Sequence, residues 1–434
     1  MAKQRQQIKM EKAIGKTAFR WYKRWICNWT LTMFDEHVYD TGTLNRVVAP
    51  YATAAMLILL LEGAADSQTR TSIENLLELP MGTERETLFK CFRFLSLHLK
   101  SWPKMPITII YRLVADEDVD LTDEFQRFRK EIFDQDDTFV DFESSTELNE
   151  LLQEFHGAPF KGPYRLINDP EARLFALVAT RIQFEWNDCK TRTFGYNSFL
   201  VSYGVKKMIE FFSLSGQLQT IRRNQFEAWA IPLKTDYCGL SLSLILIRPS
   251  CIGDLLNLIE GQLSVNQLNR TLHELLKQKP FHTNVLLPTI ELNSDTKSGC
   301  VVNLVEGWKE ALQMKDLRFK LQDGNTSILN ILHSARLSIT SLGIGFGNGK
   351  PQKNNDKPPC DVGTPSQMSI SRLQSEKFGI RLDSPFIWIV WEKTSGISLL
   401  AGSFGGGFAA VELAQIREYT TEKTSKSKSQ CRIL

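Results

Sequence analysis

The stretch NRVVAPYATAAMLILLLEGAA, residues 45–65, decides the fold. Pro50 suits a first helical turn, where its missing N–H goes unused, and Tyr51 to Glu62 is apolar nearly all the way round. A helix without a polar face must be enclosed by other elements, so this one marks the centre of a large domain. Gly63 stops it. Ser67 or Thr69 then caps a short amphipathic helix through Leu79, closed by Pro80. On the N-terminal side, residues 7–37 carry apolar positions at helical intervals, broken by Thr41-Gly42-Thr43. On the C-terminal side, residues 84–100 form another helix with Leu88, Cys91, Phe92 and Leu95 on one face.

Further along, the period changes. Ile107 to Val114 alternates and is β-branched; Thr122 to Phe133 returns to helix; Arg173 to Trp186 has the long apolar run of a strand buried on both faces. Lys207 to Leu214, Ala228 to Leu233 and Leu240 to Ile247 read as strands, Ile252 to Lys277 as two helices and Val301 to Met314 as one. Phe386 to Trp391 and Ile397 to Phe404 flank Lys393-Thr394-Ser395-Gly396, a hairpin signal. Helices first and strands afterwards predict an α+β domain rather than alternating βαβ units. The 434 residues show no internal repeat, and the domain is expected to span residues 1–404.

Hydrophobic residues make up 42% and charged residues 23%, ordinary for a globular chain with a sizeable core. A net charge of +3 does not imply a nucleic-acid partner, although residues 1–24 and the tail from Lys423 to Arg432 are locally basic. Eight scattered cysteines without a C-x-x-C pair, and six dispersed histidines, predict free thiols with no metal site and no cofactor. No G-x-S-x-G, Walker loop or H-E-x-x-H occurs, so catalysis is not expected. No secretory signal is visible, which reads as intracellular, and the sequons at Asn28, Asn269 and Asn325 matter only in a secretory pathway. Residues 343–377, rich in Gly, Pro, Asn and Ser, predict a long exposed connection between two apolar strands.

These features together resemble the serpin family. Asn45-Arg46-Val47-Val48-Ala49-Pro50 resembles its N-V-V-x-S-P entry to a buried helix, and Phe175-Ala176-Leu177-Val178 through Trp186 resembles its long L-V-L-V strand. Leu240 to Pro249 resembles L-S-M-x-I-L-L-P, and Asp383-Ser384-Pro385-Phe386 resembles D-H-P-F before the last hairpin. The matches keep the family's order from Asn45 to Phe404. The resemblance implies N-terminal helices packed on mixed and antiparallel sheets, with a reactive-centre-type loop near the C-terminus. It also implies suicide inhibition of serine proteases, in which the cleaved loop inserts as a new strand of the main sheet, and an extracellular location.

Anchored on His333 and Ala335, the resemblance places the loop hinge at Ser341, Leu342, Gly343, Ile344, Gly345 and Phe346. Only Gly343 matches the family pattern of small residues. Extra glycines weaken a strand, and Pro351, Pro358 and Pro359 each remove a ladder donor, so insertion is expected to be slow or incomplete. The scissile bond falls at Lys357-Pro358 counting forward from the hinge, or at Gln374-Ser375 counting back from Pro385. Where the family ties the opening of its sheet with two Ser, an Asn and a His, this chain has Ala49, Ala52, Thr180 and His333. The expectation is a non-inhibitory member that binds another protein or a ligand, the alternative being a working inhibitor with a serine protease as partner. Residues 405–434 read as a basic, flexible tail ending Cys431-Arg432-Ile433-Leu434, a candidate prenylation signal and the one route to a membrane.

Overall fold

In the computed structural model of the chain, the apolar stretch is a helix at the molecule's centre, as expected. Residues 12, 15–41, 45–64, 67–79, 85–100, 106–133, 138–142, 146–147, 150–151, 174–202, 205–235, 240–250, 265–293, 319–320, 325–326, 328–346 and 379–406 are described. The helices are α1 (Lys16–Thr41), α2 (Pro50–Gly63), α3 (Ser67–Leu76), α4 (Arg85–Lys100), α5 (Asp123–Phe128) and α6 (Val265–Leu275). The strands are β1 (Arg46–Val48), β2 (Ile107–Asp116), β3 (Thr138–Val140), β4 (Leu174–Ile182), β5 (Phe184–Glu185), β6 (Lys190–Ser202), β7 (Val205–Arg222), β8 (Phe226–Pro232) and β9 (Leu242–Pro249). They continue with β10 (Phe281–Pro288), β11 (Ile290–Asn293), β12 (Phe319–Lys320), β13 (Asn325–Thr326), β14 (Ile328–Thr340), β15 (Gly343–Ile344), β16 (Ile380–Arg381), β17 (Phe386–Glu392) and β18 (Ile397–Phe404).

Two sheets enclose α2. The larger runs β1-β18-β17-β9-β8-β7-β10-β16, with β6 added on β7; the main sheet runs β3-β2-β4-β14-β15-β5, with β11 added on β14. α2 touches β18 on one side and β2 and β4 on the other. Every residue of α2 but Glu62 is accordingly buried. Two tryptophans of α1 fix its neighbours: Trp29 Nε1 donates to the Pro50 carbonyl at 3.0 Å and Trp25 Nε1 to the Leu77 carbonyl at 2.8 Å.

The last hairpin closes the larger sheet. β17 and β18 are buried along their whole length: β17 lies between β18 and β9, while β18 is covered by α1 and α2 and paired with β1 at Ala401 to Ser403. Asn45 Oδ1 accepts the Gly405 N–H at 2.8 Å, tying the start of β1 to the end of β18. Glu392 is fully buried, yet its carboxylate accepts the Ser241 N–H at 3.0 Å, the Ser395 N–H at 2.5 Å and the Ser395 hydroxyl at 2.6 Å. A buried charge held by three donors is tolerated where an unpaired one would not be.

Three departures from the sequence reading stand out. The helix expected over Thr122 to Phe133 is α-helical only to Phe128 and continues as a π turn over Arg129–Phe133. The strand expected at Lys207 to Leu214 extends over Val205–Arg222 and pairs with β8, which was expected, and with β6 and β10, which were not. The exposed connection expected from Gly343 instead begins as a strand: Gly343 and Ile344 are buried in the main sheet because both edges of β15 find a partner. The rest of that connection, the helix expected at Val301 to Met314 and the basic tail lie outside the described residues. Among the described residues, Cys27, Cys91 and Cys189 are free thiols, no group of side chains is arranged to hold a metal, and no helix is long and apolar enough to cross a membrane.

Candidate functional site

The site lies where the main sheet divides. β4 and β14 pair in parallel from Ile328 opposite Leu174 to Ala335 opposite Thr180. Above that point the two strands part. β14 continues to Thr340, while the chain after β4 resumes as β5, and β15 fills the opening antiparallel to both. The chain reverses into β15 through Ser341 and the exposed Leu342. Thr340 shapes this turn: its Oγ1 accepts the Leu342 N–H at 3.2 Å and donates to the Gly343 carbonyl at 3.5 Å. Trp186, from the long strand motif, donates its indole N–H to the Thr340 carbonyl at 3.0 Å and holds the turn from the β5 side.

Two glycines let the chain enter this slot and leave it. Gly343 has φ +150°, and a Cβ there would stand 2.0 Å from the Phe184 carbonyl oxygen. Gly345 has φ +80°, and its Cβ would stand 1.6 Å from the Ile182 carbonyl oxygen. Both positions therefore require glycine, for conformation and for space. Gly345 still donates its N–H to the Ser338 carbonyl at 2.8 Å, so the ladder reaches one residue past β15 before the left-handed backbone turns the chain aside. The half-buried Phe346 ring folds back within 2.8 Å of where a Gly343 side chain would begin.

Lower down, at the junction of α2, β4 and β14, the four residues expected at the sheet opening do assemble in part. His333 Nε2 accepts the backbone N–H of Ala49 at 3.1 Å, which fixes the ring proton on Nδ1. Burial pushes the His333 pKa down to about 4, so the imidazole is neutral. Ala52 is buried and contributes no polar atom. The Thr180 hydroxyl is buried without a hydrogen-bond partner. The missing serine hydroxyls are thus replaced by one backbone donor at the start of α2. Sequence reading had no access to this contact, since every non-proline residue carries an N–H. It also missed Thr340 and the role of Trp186, whose conventional signal was only a tryptophan at the end of a strand. The candidate scissile residues Lys357, Pro358, Gln374 and Ser375, and Cys431, lie outside the described residues.

A central apolar helix held between two sheets, with the chain turning back into the main sheet after β14, is the α+β architecture that the sequence resemblance implied. The sequence profile of the serpin (serine protease inhibitor) family matches residues 26–405, and the chain belongs to that family. No curated protein matches by sequence. Among solved structures, a highly specific serpin of the insect Tenebrio molitor is similar at 17% identity and a TM-score of 0.63, covering 89% of this chain and 98% of its own. Mouse protein-Z dependent protease inhibitor is similar at 15% identity and a TM-score of 0.65, covering 91% of this chain and 100% of its own. Human thyroxine-binding globulin is similar at 14% identity and a TM-score of 0.64, covering 90% of this chain and 99% of its own. Serpins are inhibitors or carriers rather than enzymes, and membership places this chain with them.

Proposed function

We propose that this chain is a non-inhibitory serpin, a binding protein whose loop stops at the mouth of the main sheet. The observation that carries this reading is Gly345, where a left-handed backbone at φ +80° diverts the chain just as the ladder would have to continue between β4 and β14. Further insertion requires the parallel β4–β14 ladder to open. It also requires the segment after Phe346 to replace it, and that segment brings glycines and Pro351 where ladder donors are needed. Insertion on the inhibitory timescale competes with release of the protease, and such a strand would lose that competition. Thyroxine-binding globulin, among the similar structures, was solved with thyroxine bound, a precedent for carriage on this fold.

The rival reading, a working inhibitor, has one observation in its favour. Gly343 and Ile344 already have the antiparallel register, between β14 and β5, that an inserted strand would take. Incubation with trypsin-like and chymotrypsin-like serine proteases separates the two. Cleavage of the chain without a covalent complex on a denaturing gel is the expected result; a complex that survives denaturation would overturn the proposal.

A further inference from the structure

Arginines gather at the far end of the larger sheet, away from the mouth of the main sheet. The turn between β7 and β8 and the facing side of α6 border an open cavity of about 470 Å³ whose lining includes Arg222, Arg223, Asn224, Gln225, Phe226 and Arg270. That volume is in the range of small-molecule sites, roughly 300–1,000 Å³. The turn is pinned from both sides: the Arg223 N–H donates to the Phe226 carbonyl at 2.8 Å and the Ser250 N–H to the Gln225 carbonyl at 2.8 Å. The side chains at its tip are therefore presented by a fixed backbone.

Charge around the cavity does not balance. Glu274 is shared by Arg223 and by Arg270, the latter at 2.7 Å, and Glu227 is shared by Arg222 and Arg248, each at 2.9 Å. Among these described groups four guanidiniums face two carboxylates. A guanidinium carries five N–H donors, and one shared carboxylate cannot occupy them all. The Arg270 bond holds the Glu274 carboxyl below its usual range, so this acid stays ionised and competes with an incoming anion for both arginines. The lining thus offers three guanidiniums for an anion and the side-chain amides of Asn224 and Gln225 for hydroxyl groups.

We propose that this cavity binds a phosphate ester carried on a hydroxylated ring about the size of a sugar. The arginines take the phosphate oxygens in bidentate pairs and the amides take the ring hydroxyls. The site is independent of loop insertion and stands whichever reading of the mouth holds. The phosphate ester comes either from a free small molecule or from the headgroup of a phosphoinositide.

Calorimetry with inositol 1,4,5-trisphosphate tests the shared chemistry, with inositol as the uncharged control. Saturable binding is expected for the phosphate and none for inositol. Arg270→Gln and Arg223→Gln should each weaken binding about tenfold, the scale of one charge-assisted contact. Glu274→Gln should strengthen it several-fold by releasing two guanidiniums, a change that a purely structural ion pair would not produce. All three side chains are a third or more exposed, so the variants are expected to fold. Sedimentation with phosphatidylcholine vesicles, with and without phosphatidylinositol 4,5-bisphosphate, separates the sources. Binding of the soluble phosphate alone assigns a free ligand, and vesicle binding that the soluble phosphate displaces assigns the headgroup. No binding of either probe, or binding unchanged in all three variants, would overturn the proposal.

Discussion

The hairpin β17–β18 and the two-residue strand β15 are both antiparallel additions near the C-terminal end of the chain, and they are held in opposite ways. The hairpin is buried along its whole length, and its register is set by large side chains on both faces, from Phe386 opposite Phe404 to Glu392 opposite Ile397. β15 is held by main-chain bonds and one buried side chain, Ile344, with Gly343 and Gly345 fitting against carbonyl oxygens where no Cβ has room. A segment fixed by packing has one place to go. A segment fixed by ladder bonds and glycine can leave when a better arrangement appears, and the same property lets it stop partway.

Substitutions should expose this difference, the hairpin suffering most. Leu400 is fully buried opposite Val390 in the middle of the hairpin. Leu400→Ala is expected to cost about 3–4 kcal/mol in urea unfolding; a loss under about 1 kcal/mol would mean the hairpin is as loosely held as β15.

Next comes the junction below the mouth. His333 has a pKa near 4 in the folded chain against 6.5 when free, so the unfolded chain binds more protons between those values. Stability is therefore full above about pH 6.5 and falls as pH drops toward 4, by about 3 kcal/mol at most. His333→Gln should flatten that part of the pH–stability curve. An unchanged slope in the variant would remove His333 from the account.

Smaller effects belong to β15 itself. Gly345→Ala cannot keep the docked backbone, but the strand escapes by undocking, so the loss is expected to stay near 1–2 kcal/mol. New cleavage should appear at residues 341–346, which the native chain protects, while the rest of the fold resists. If instead the whole molecule unfolds at lower denaturant by more than about 4 kcal/mol, β15 is part of the core and the comparison fails. Trp186→Phe removes the indole bond to the Thr340 carbonyl and part of the buried ring that packs on Phe212; it should cost about 1–2 kcal/mol, with faster amide exchange at Gly345 as its local signature.

The sequence made the hairpin and α2 legible because uninterrupted apolar runs leave few alternatives, and a family resemblance carried by several such runs placed them in order. β6 was not legible: Lys190-Thr191-Arg192-Thr193 at its start are largely exposed to solvent, so no hydrophobic signal marks where the strand begins. At the mouth the sequence pointed to residues but not to their geometry. Gly345 read as an entropic weakness, whereas the fold uses it for a positive φ and for room beside Ile182. The Ala49–His333 bond runs from a backbone donor across 284 residues of sequence, which no side-chain pattern announces.

Thermal stability before and after nicking the segment 347–377 with a non-specific protease tests the central claim most directly. A loop that stops at Gly345 leaves the melting temperature unchanged or slightly lower. A rise of tens of degrees would mean that the severed strand enters between β4 and β14, and that the chain is built to inhibit.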